Sequence, residues 1–246
     1  QRADGEILAA QAAEEFGIPY TLSTMSVCSI EAVAEKTKKP FWFQLYVMKD
    51  KKFMERLIDR AKEAKCSALV LTLDLQLLGQ RHKDIRNGLS TPPKLIPKHV
   101  YQVLSRPMWC LRMLTTKNHF FGNIVGHVDG INDIRSLGSW IGTQFDQKLD
   151  WKEVDWIRKR WGGKLIIKGI LDPEDALLAS KTGADAIIVS NHPFGMMVEL
   201  LRRDRSACHE PEGRGKPGKT KLAFDGVSIT LPLRQISKGS GDGIFR

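Results

Sequence analysis

Short apolar segments alternate with amphipathic segments along residues 1–192, and this alternation constrains the fold more than any other feature of the chain. Five segments rich in β-branched and aromatic residues are typical of strands, at residues 18–23, 41–47, 68–74, 164–169 and 186–191. Segments between them carry apolar residues three or four positions apart, as a helix requires, at residues 30–37, 52–65 and 173–182. Nearly continuous apolar strands joined by helices predict a parallel sheet buried on both faces.

The spacing of these segments favours one α/β architecture. Successive strand centres lie about 22–28 residues apart, near the roughly 30 residues per unit of a (β/α)8 barrel. An open doubly wound sheet is the alternative, but no G-x-G-x-x-G sequence follows a predicted strand, which weakens its nucleotide-binding form. The interval from Asp74 to Lys164 is far longer than the others, and we expect a loop insertion there, over residues 84–150.

Composition narrows the class of protein. Hydrophobic residues make up 42% of the 246 residues and charged residues 27%, which supports a sizeable core. No apolar run reaches the roughly 18 residues that predict a membrane-spanning helix. The four cysteines form no C-x-x-C pair, so a disulfide framework and a structural zinc site lose support, and a reducing cytoplasm is expected. The net charge of +10 permits an anionic partner without identifying it.

The two ends of the chain differ from its middle. The chain starts at Gln1 in a helix-like pattern without the composition of a signal peptide, and we expect it to begin inside a longer protein. From Pro193 onward, glycine-rich and basic stretches replace the periodic pattern. We expect residues 193–246 to form a divergent, poorly ordered tail.

Polar side chains stand at the ends of the predicted strands, where a barrel of this kind collects its chemistry. Each has a structural alternative, such as a buried hydrogen bond for Gln44 or Thr72, or a loop cap for Asp74. Lys168 is the least expected, because an ammonium group in an apolar strand is costly without an anionic partner. Together they predict one cavity mouth with a cation, an acid–base pair and a carboxylate-binding arginine. The candidates are Ser23, Gln44, Tyr46, Thr72, Asp74, Arg81, Lys168 and His192.

Four motifs occur in order along residues 1–192. They are Phe43-Gln44-Leu45-Tyr46-Val47, Leu71-Thr72-Leu73-Asp74 with Gly79-Gln80-Arg81, Ile167-Lys168-Gly169-Ile170, and Ser190-Asn191-His192. This ordered set resembles the FMN-dependent α-hydroxy acid dehydrogenase/oxidase family. The segment Tyr20-Thr21-Leu22-Ser23-Thr24-Met25-Ser26 and the basic insertion are most similar to the bacterial respiratory L-lactate dehydrogenases. The resemblance implies a partial (β/α)8 TIM barrel of about strands two to six, with FMN at the strand ends.

The resemblance also implies a role for each candidate. Ser23, Gln44 and Thr72 would hydrogen-bond the flavin, and Lys168 would stabilise the negative charge of the reduced ring at its N1/O2 edge. Tyr46 and Arg81 would orient the substrate, with Arg81 on its carboxylate. His192 would act as the base, with Asp74 stabilising the imidazolium.

The implied reaction is the FMN-dependent oxidation of an L-2-hydroxy acid, most readily of L-lactate to pyruvate. The family further implies a quinone or another electron acceptor, and a homo-oligomer. It implies no metal ion in the site.

After His192 the chain departs from the family pattern. The family continues His-Gly-Gly-Arg, whereas this chain has Pro193, Phe194 and Gly195, so glycine stands where the family has a second carboxylate-binding arginine. We therefore expect a barrel fragment that retains FMN poorly and turns over little by itself. A fragment without activity is the alternative.

Residues 94–127 combine cations with apolar side chains and contain no acidic residue. This composition suits the headgroup boundary of an anionic bilayer. We expect a peripheral location on the cytoplasmic side of the inner membrane, or a cytoplasmic one. The alternative is an active-site lid packed on the barrel. The cations are Lys94, Lys98, Arg106, Arg112 and Lys117.

Basic runs in the tail raise a rival function, a nucleic-acid-binding module. They are Arg202-Arg203-Asp204-Arg205 and residues 216–221. Charge runs are usually solvated surface, and no signature of a nucleic-acid-binding fold accompanies these. We therefore expect no nucleic-acid partner.

Overall fold

The computed structural model describes residues 3–74, 86–87, 97–128, 131, 137, 140, 143–144, 149–190 and 229–232. Each of the five strands expected from the sequence is present, shortened at its ends. The elements are α1 (Gly5–Phe16), β1 (Thr21–Ser23), α2 (Ile30–Lys36), β2 (Trp42–Tyr46), α3 (Lys51–Glu63), β3 (Ala68–Thr72), α4 (Pro97–Leu104), α5 (Pro107–Thr115), α6 (Trp151–Trp161), β4 (Lys164–Lys168), α7 (Pro173–Lys181), β5 (Ala186–Val189) and β6 (Ile229–Pro232).

The strands form one sheet in the order β1-β2-β3-β4-β5-β6. Neighbours from β1 to β5 are parallel, which confirms the predicted α/β architecture and corresponds to part of a (β/α)8 barrel. β6 instead pairs antiparallel with β5, inside the segment expected to be poorly ordered. An open strand edge offers unpaired backbone groups to any extended segment, and the hydrophobic pattern of the tail does not signal this pairing.

Side-chain caps fix where the helices begin. Asp50 accepts a hydrogen bond from the backbone N–H of Phe53 at 2.9 Å at the start of α3. Asp150 and Asp172 accept backbone hydrogen bonds at the starts of α6 and α7 in the same way. α6 ends at Gly162, whose φ of 70° lies in the left-handed region that glycine tolerates best. Each of these three helices lies between two consecutive strands along the chain.

The sheet has two faces with different partners. One face packs against the helices in the main core, through residues such as Phe43, Leu69 and Ile167. The other face, called the inner face here, carries a second cluster drawn from strand residues alone. Because side chains alternate along a strand, Gln44, Thr72 and Lys168 share this inner face. Tyr46, at the end of β2, packs against the main core. The second cluster comprises Ala68, Val70, Ile166, Ala186 and Ile188, with Trp42 packed against it.

The described part of the insertion includes two short helices, α4 and α5, that expose much apolar surface. Pro107, which interrupts the hydrophobic period in the sequence, is the first residue of α5. Leu104 is 72% exposed and Leu114 is 81% exposed. Among the described residues, no helix has the length and apolar character needed to cross a bilayer. The large exposed apolar side chains of the pair are Val100, Tyr101, Val103, Leu104, Met108, Leu111 and Leu114.

The segment after α5, residues 116–128, anchors the insertion to the sheet and its helices. Thr116 Oγ1 and Asn118 Nδ2 both donate to Asp4 Oδ1, at 2.6 and 2.7 Å. Ile124 is fully buried in the main core. The backbone N–H of Gly122 donates to the carbonyl of Val27 at 3.1 Å. The base of the insertion is therefore part of the folded core, whereas α4 and α5 project apolar side chains from it.

Candidate functional site

A row of hydrogen-bonded side chains crosses three neighbouring strands on the inner face. Ser23 Oγ donates to Gln44 Oε1 at 3.0 Å, and Gln44 Nε2 donates to Thr72 Oγ1 at 2.8 Å. Gln44 and Thr72 are buried, with 8% and 3% of their surfaces exposed. Three residues that the family resemblance assigns to the flavin thus lie together. We call Ser23, Gln44 and Thr72 the polar row.

The polar row does not follow the register of the sheet. Gln44 is the register partner of Val70, whereas Thr72 is the register partner of Tyr46. The bond from Gln44 to Thr72 is therefore diagonal and reaches two residues further along β3. Lys168 is the register partner of Thr72, so it joins the polar row from β4 without a further shift.

Lys168 and Asp74 form an ion pair at the end of the polar row. Lys168 Nζ lies 3.6 Å from Asp74 Oδ2, and the two side chains are 20% and 8% exposed. A carboxylate beside the ammonium group offsets the cost of removing both from water. The sequence indicated that Lys168 needs an anionic partner, and Asp74 is one such partner. An ammonium group has three N–H donors, so this pairing does not use its full hydrogen-bonding capacity.

A glycine makes the close approach of Asp74 to the end of β4 possible. Gly169 has φ of 99°, and a Cβ at this position would lie 2.6 Å from both Cβ and Cγ of Asp74. The adjoining backbone is held by bonds from Leu73 N to Lys168 O at 3.0 Å and from Gly169 N to Ile188 O at 3.1 Å. Gly169 is thus required for both its dihedral angle and its lack of a side chain.

The loop that follows β1 is fixed against β2. The backbone N–H and the hydroxyl of Thr24 both donate to the carbonyl of Gln44, at 3.0 and 2.6 Å. The backbone N–H of Met25 donates to Ser23 Oγ at 3.1 Å. The Ser23 hydroxyl therefore accepts one bond from its own loop and donates another to Gln44, which sets its orientation.

Asn123 reaches this loop from the base of the insertion and was not among the residues predicted from the sequence. It is fully buried, and its Nδ2 lies 3.0 Å from Ser26 Oγ and 3.3 Å from the carbonyl oxygen of Ser23. Asn123 and Ser23 are 100 positions apart in the chain. No local pattern in the sequence signals a contact at this separation.

Arg60, which contacts Asn123, also forms an ion pair with Glu31. Arg60 donates Nε to Glu31 Oε1 at 2.6 Å and Nη2 to Glu31 Oε2 at 2.8 Å, a two-pronged arrangement. Burial raises the pKa of Glu31, but the hydrogen bonds from Arg60, the backbone and Ser29, together with the positive charge of Arg60, outweigh burial and lower the pKa to about 2. Glu31 is therefore ionised throughout the neutral range, so the guanidinium stays held beside Asn123.

Of the three remaining candidates, the described part of the chain includes only Tyr46. Tyr46 stands at the end of β2 in the same register position as Thr72, partly buried against the main core. Arg81 and His192 lie outside the described residues, as do the basic runs at 202–205 and 216–221. The expected pairing of Asp74 with His192 accordingly stays a prediction.

Comparison with known proteins assigns the chain to a family. Residues 1–193 match the family of FMN-dependent dehydrogenases. The chain is similar to the L-lactate dehydrogenase of Serratia proteamaculans (strain 568), with 46% identity over 242 residues. That alignment covers 98% of this chain and 63% of the relative, so it extends past residue 193.

Solved structures agree with this assignment. The monotopic membrane protein (S)-mandelate dehydrogenase aligns with a TM-score of 0.69 and 29% identity, over 81% of this chain and 56% of that one. A mandelate oxidase aligns with a TM-score of 0.57 and 30% identity, over 77% of this chain and 45% of that one. The chain spans 63% of the length of its L-lactate dehydrogenase relative. Since the family match covers 193 of the 246 residues, the chain belongs to the FMN-dependent dehydrogenase family.

Proposed function

We propose that this chain forms the FMN-binding part of an enzyme that oxidises L-lactate, or a closely similar L-2-hydroxy acid, to the 2-oxo acid. The observation that carries the proposal is the polar row with Lys168 beside it, on one face of a parallel sheet. The similarity to an L-lactate dehydrogenase supports lactate as the substrate. The mandelate enzymes among the similar structures make a larger 2-hydroxy acid the competing substrate.

The residues present fit a flavin. The pyrimidine edge of an isoalloxazine ring offers alternating carbonyl acceptors and an N–H donor. Gln44 supplies both an acceptor and a donor, and the hydroxyl hydrogen of Thr72 is not used in its bond from Gln44. Lys168 adds a cation that is only 20% exposed and therefore weakly screened by water. These hydrogen-bonding groups and the cation together suit a ring edge that is polar and uncharged when the flavin is oxidised and negatively charged when it is reduced.

Each residue then has a defined task. Bound FMN would supply the capacity to accept two electrons and a proton from the hydroxy acid. Lys168 holds positive charge at the end of the polar row, where it favours a developing negative charge. Asp74 keeps that ammonium group in place. Tyr46 hydrogen-bonds the substrate from the end of β2.

Two further tasks fall on residues outside the described part of the chain. Arg81 binds the substrate carboxylate, which a guanidinium recognises through two parallel hydrogen bonds. His192 removes the hydroxyl proton as the general base, and the carboxylate of Asp74 stabilises the resulting imidazolium. Both assignments rest on the sequence motifs.

Replacing Gln44 by leucine tests the cofactor assignment. We expect the dissociation constant for FMN to rise about tenfold, because one net hydrogen bond is lost and the Ser23 and Thr72 hydroxyls lose a partner. The measurement is a titration of the purified chain with FMN, followed by flavin fluorescence and visible absorption.

Gln11→Leu is the matched control. Gln11 is an exposed glutamine whose Nε2 donates to the carbonyl of Lys36, away from the polar row. Its replacement should leave the dissociation constant unchanged. Wild-type protein that takes up no FMN, or a folded Gln44→Leu protein with wild-type affinity, would refute the assignment.

The insertion provides the second part of the proposal, which is a contact with an anionic membrane surface. α4 and α5 expose seven large apolar side chains. The insertion carries cations without any acidic residue between positions 94 and 127. This combination favours partial burial in the headgroup region over packing on the sheet as a lid. The electron acceptor would then be a quinone in that membrane, on its cytoplasmic side.

Co-sedimentation with lipid vesicles tests the membrane contact. Wild-type protein should bind vesicles that contain anionic lipid more strongly than neutral phosphatidylcholine vesicles, and less strongly as salt is raised. Leu114→Glu should lower the vesicle partition constant at least about tenfold, since a buried leucine contributes about 1.5–3 kcal/mol. Phe16→Glu is the matched control, because Phe16 is also 81% exposed but lies at the end of α1. Binding without any lipid dependence would favour the lid.

A further inference from the structure

Asn123 holds the loop that carries Ser23 through one fully buried amide. Its Nδ2 lies 3.0 Å from Ser26 Oγ, 3.3 Å from the carbonyl of Ser23 and 3.4 Å from the carbonyl of Thr24. All three acceptors belong to the end of β1 and the turn after it. No other amide side chain in the described part of the chain makes such a set of contacts to this turn.

The other side of the same amide is fixed to the helical layer. Asn123 Oδ1 accepts from the backbone N–H of Ile30, the first residue of α2, at 2.9 Å. It also lies 3.4 Å from Nη2 of Arg60, whose Nη1 donates to the Asn123 carbonyl at 3.1 Å. The two-pronged ion pair of Arg60 with Glu31 holds that guanidinium. The amide is therefore saturated and has one orientation.

The backbone before Asn123 is packed against the same turn. A Cβ at Gly122 would lie 2.8 Å from the backbone nitrogen of Ser29 and 2.8 Å from the carbonyl oxygen of Val27. The segment can therefore approach the turn only with glycine at this position. β1 itself has three residues and, among the described strands, pairs with β2 alone. A strand this short needs further contacts to fix its end.

We propose that Asn123 is a positioning residue that sets the place of Ser23 in the cofactor site from the base of the insertion. This inference rests on the proposed binding of FMN along the polar row. Asn123 acts through the turn at residues 23–26 and does not itself contact the polar row side chains. The insertion is consequently joined to the cofactor site by a specific set of hydrogen bonds.

The first test needs no cofactor. In the FMN-free chain, Asn123→Ala should speed hydrogen exchange of the backbone amides of residues 24–27 by about tenfold, because the turn loses its hydrogen bonds to the Asn123 amide. Amides of β4 should exchange at the wild-type rate. Asn118→Ala is the matched control, because Asn118 lies in the same segment but bonds to Asp4. It should leave residues 24–27 unchanged.

The second test separates positioning from general stability. The dissociation constant for FMN is measured for Asn123→Ala, Ser23→Ala and the double variant. If Asn123 acts through Ser23, each single change should raise the constant about tenfold and the double variant should add little more. If the double variant instead raises the dissociation constant by the product of the two single effects, the role of Asn123 is purely structural and the inference is overturned. Asn118→Ala with Ser23→Ala should show no coupling.

The outcomes of the two tests distinguish this inference from the proposed function. Wild-type protein that binds no FMN refutes the proposed function, whereas unchanged exchange at residues 24–27 in Asn123→Ala refutes the positioning role. If Asn123→Ala does not fold, Ser26→Ala takes its place, because it removes the acceptor 3.0 Å from the same Nδ2. Coupling of Ser26→Ala with Ser23→Ala supports the inference, and its absence overturns it.

Discussion

Lys168→Met is expected to lower about 100-fold, relative to the unchanged chain with FMN in excess, the rate at which L-lactate reduces FMN in the proposed site. The side chain is only 20% exposed and lies at the end of the polar row, so its charge acts through little water. Methionine keeps the apolar stem and removes the positive charge that, in the proposed function, would stabilise the reduced, negatively charged ring. The midpoint potential of the bound flavin should fall as well, and this measurement does not depend on turnover. Stopped-flow absorbance and a redox titration provide the two values.

The same strand supplies the control for this variant. Lys164 begins β4 on the same face as Lys168 and is exposed at the opposite end of the strand. Lys164→Met should change the rate by no more than about twofold, as is usual for a surface position. Equal losses in the two variants would indicate a general effect of net charge and would contradict the role of Lys168. Circular dichroism of both variants checks that Asp74 does not disrupt the fold when its cation is removed.

Gly169→Ala is expected to lower the free energy of unfolding by about 3 kcal/mol. The φ of 99° costs a residue with a side chain about 1–2 kcal/mol. The new methyl group would also lie 2.6 Å from Cβ and Cγ of Asp74, and such overpacking costs about 1–3 kcal/mol. Urea denaturation measures the sum. Displacement of Asp74 should in addition weaken the ion pair with Lys168.

Gly162→Ala isolates the effect of the collision. Gly162 has a similar left-handed φ of 70°, and a Cβ there would meet no heavy atom within 4 Å. Its replacement by alanine should therefore cost only the backbone term, about 1–2 kcal/mol. If the two glycine variants lose the same stability, the close approach of Asp74 to β4 is not a constraint on residue 169.

Features that repeat locally along the chain could be predicted from the sequence. The strands are continuous apolar runs, which the sequence shows directly. Lys168 could be identified as a candidate because a cation is rare in a buried apolar strand. The polar row of Ser23, Gln44 and Thr72 follows once these strands are taken as neighbours in a parallel sheet.

Contacts between distant segments were beyond prediction. Asn123 is one polar residue within a basic and apolar insertion, and its partners lie about 100 positions away. β6 pairs through backbone groups, which any sequence possesses, so its side chains give no signal. The ion pair of Asp74 with Lys168 was not predicted either, because it depends on the close approach at Gly169 between segments about 95 positions apart.

The diagonal step between Gln44 and Thr72 has a geometric consequence. Strands of a barrel lean relative to its axis, so side chains at equal height occupy later positions on successive strands. Here the offset falls between β2 and β3, because Ser23 is in register with Gln44 and Thr72 is in register with Lys168. In the proposed site, a flat, rigid ring that met all four side chains would cross the sheet at this step. Moving one of these side chains two residues along its strand would keep it on the same face but change its level, and it would no longer meet the edge of such a ring.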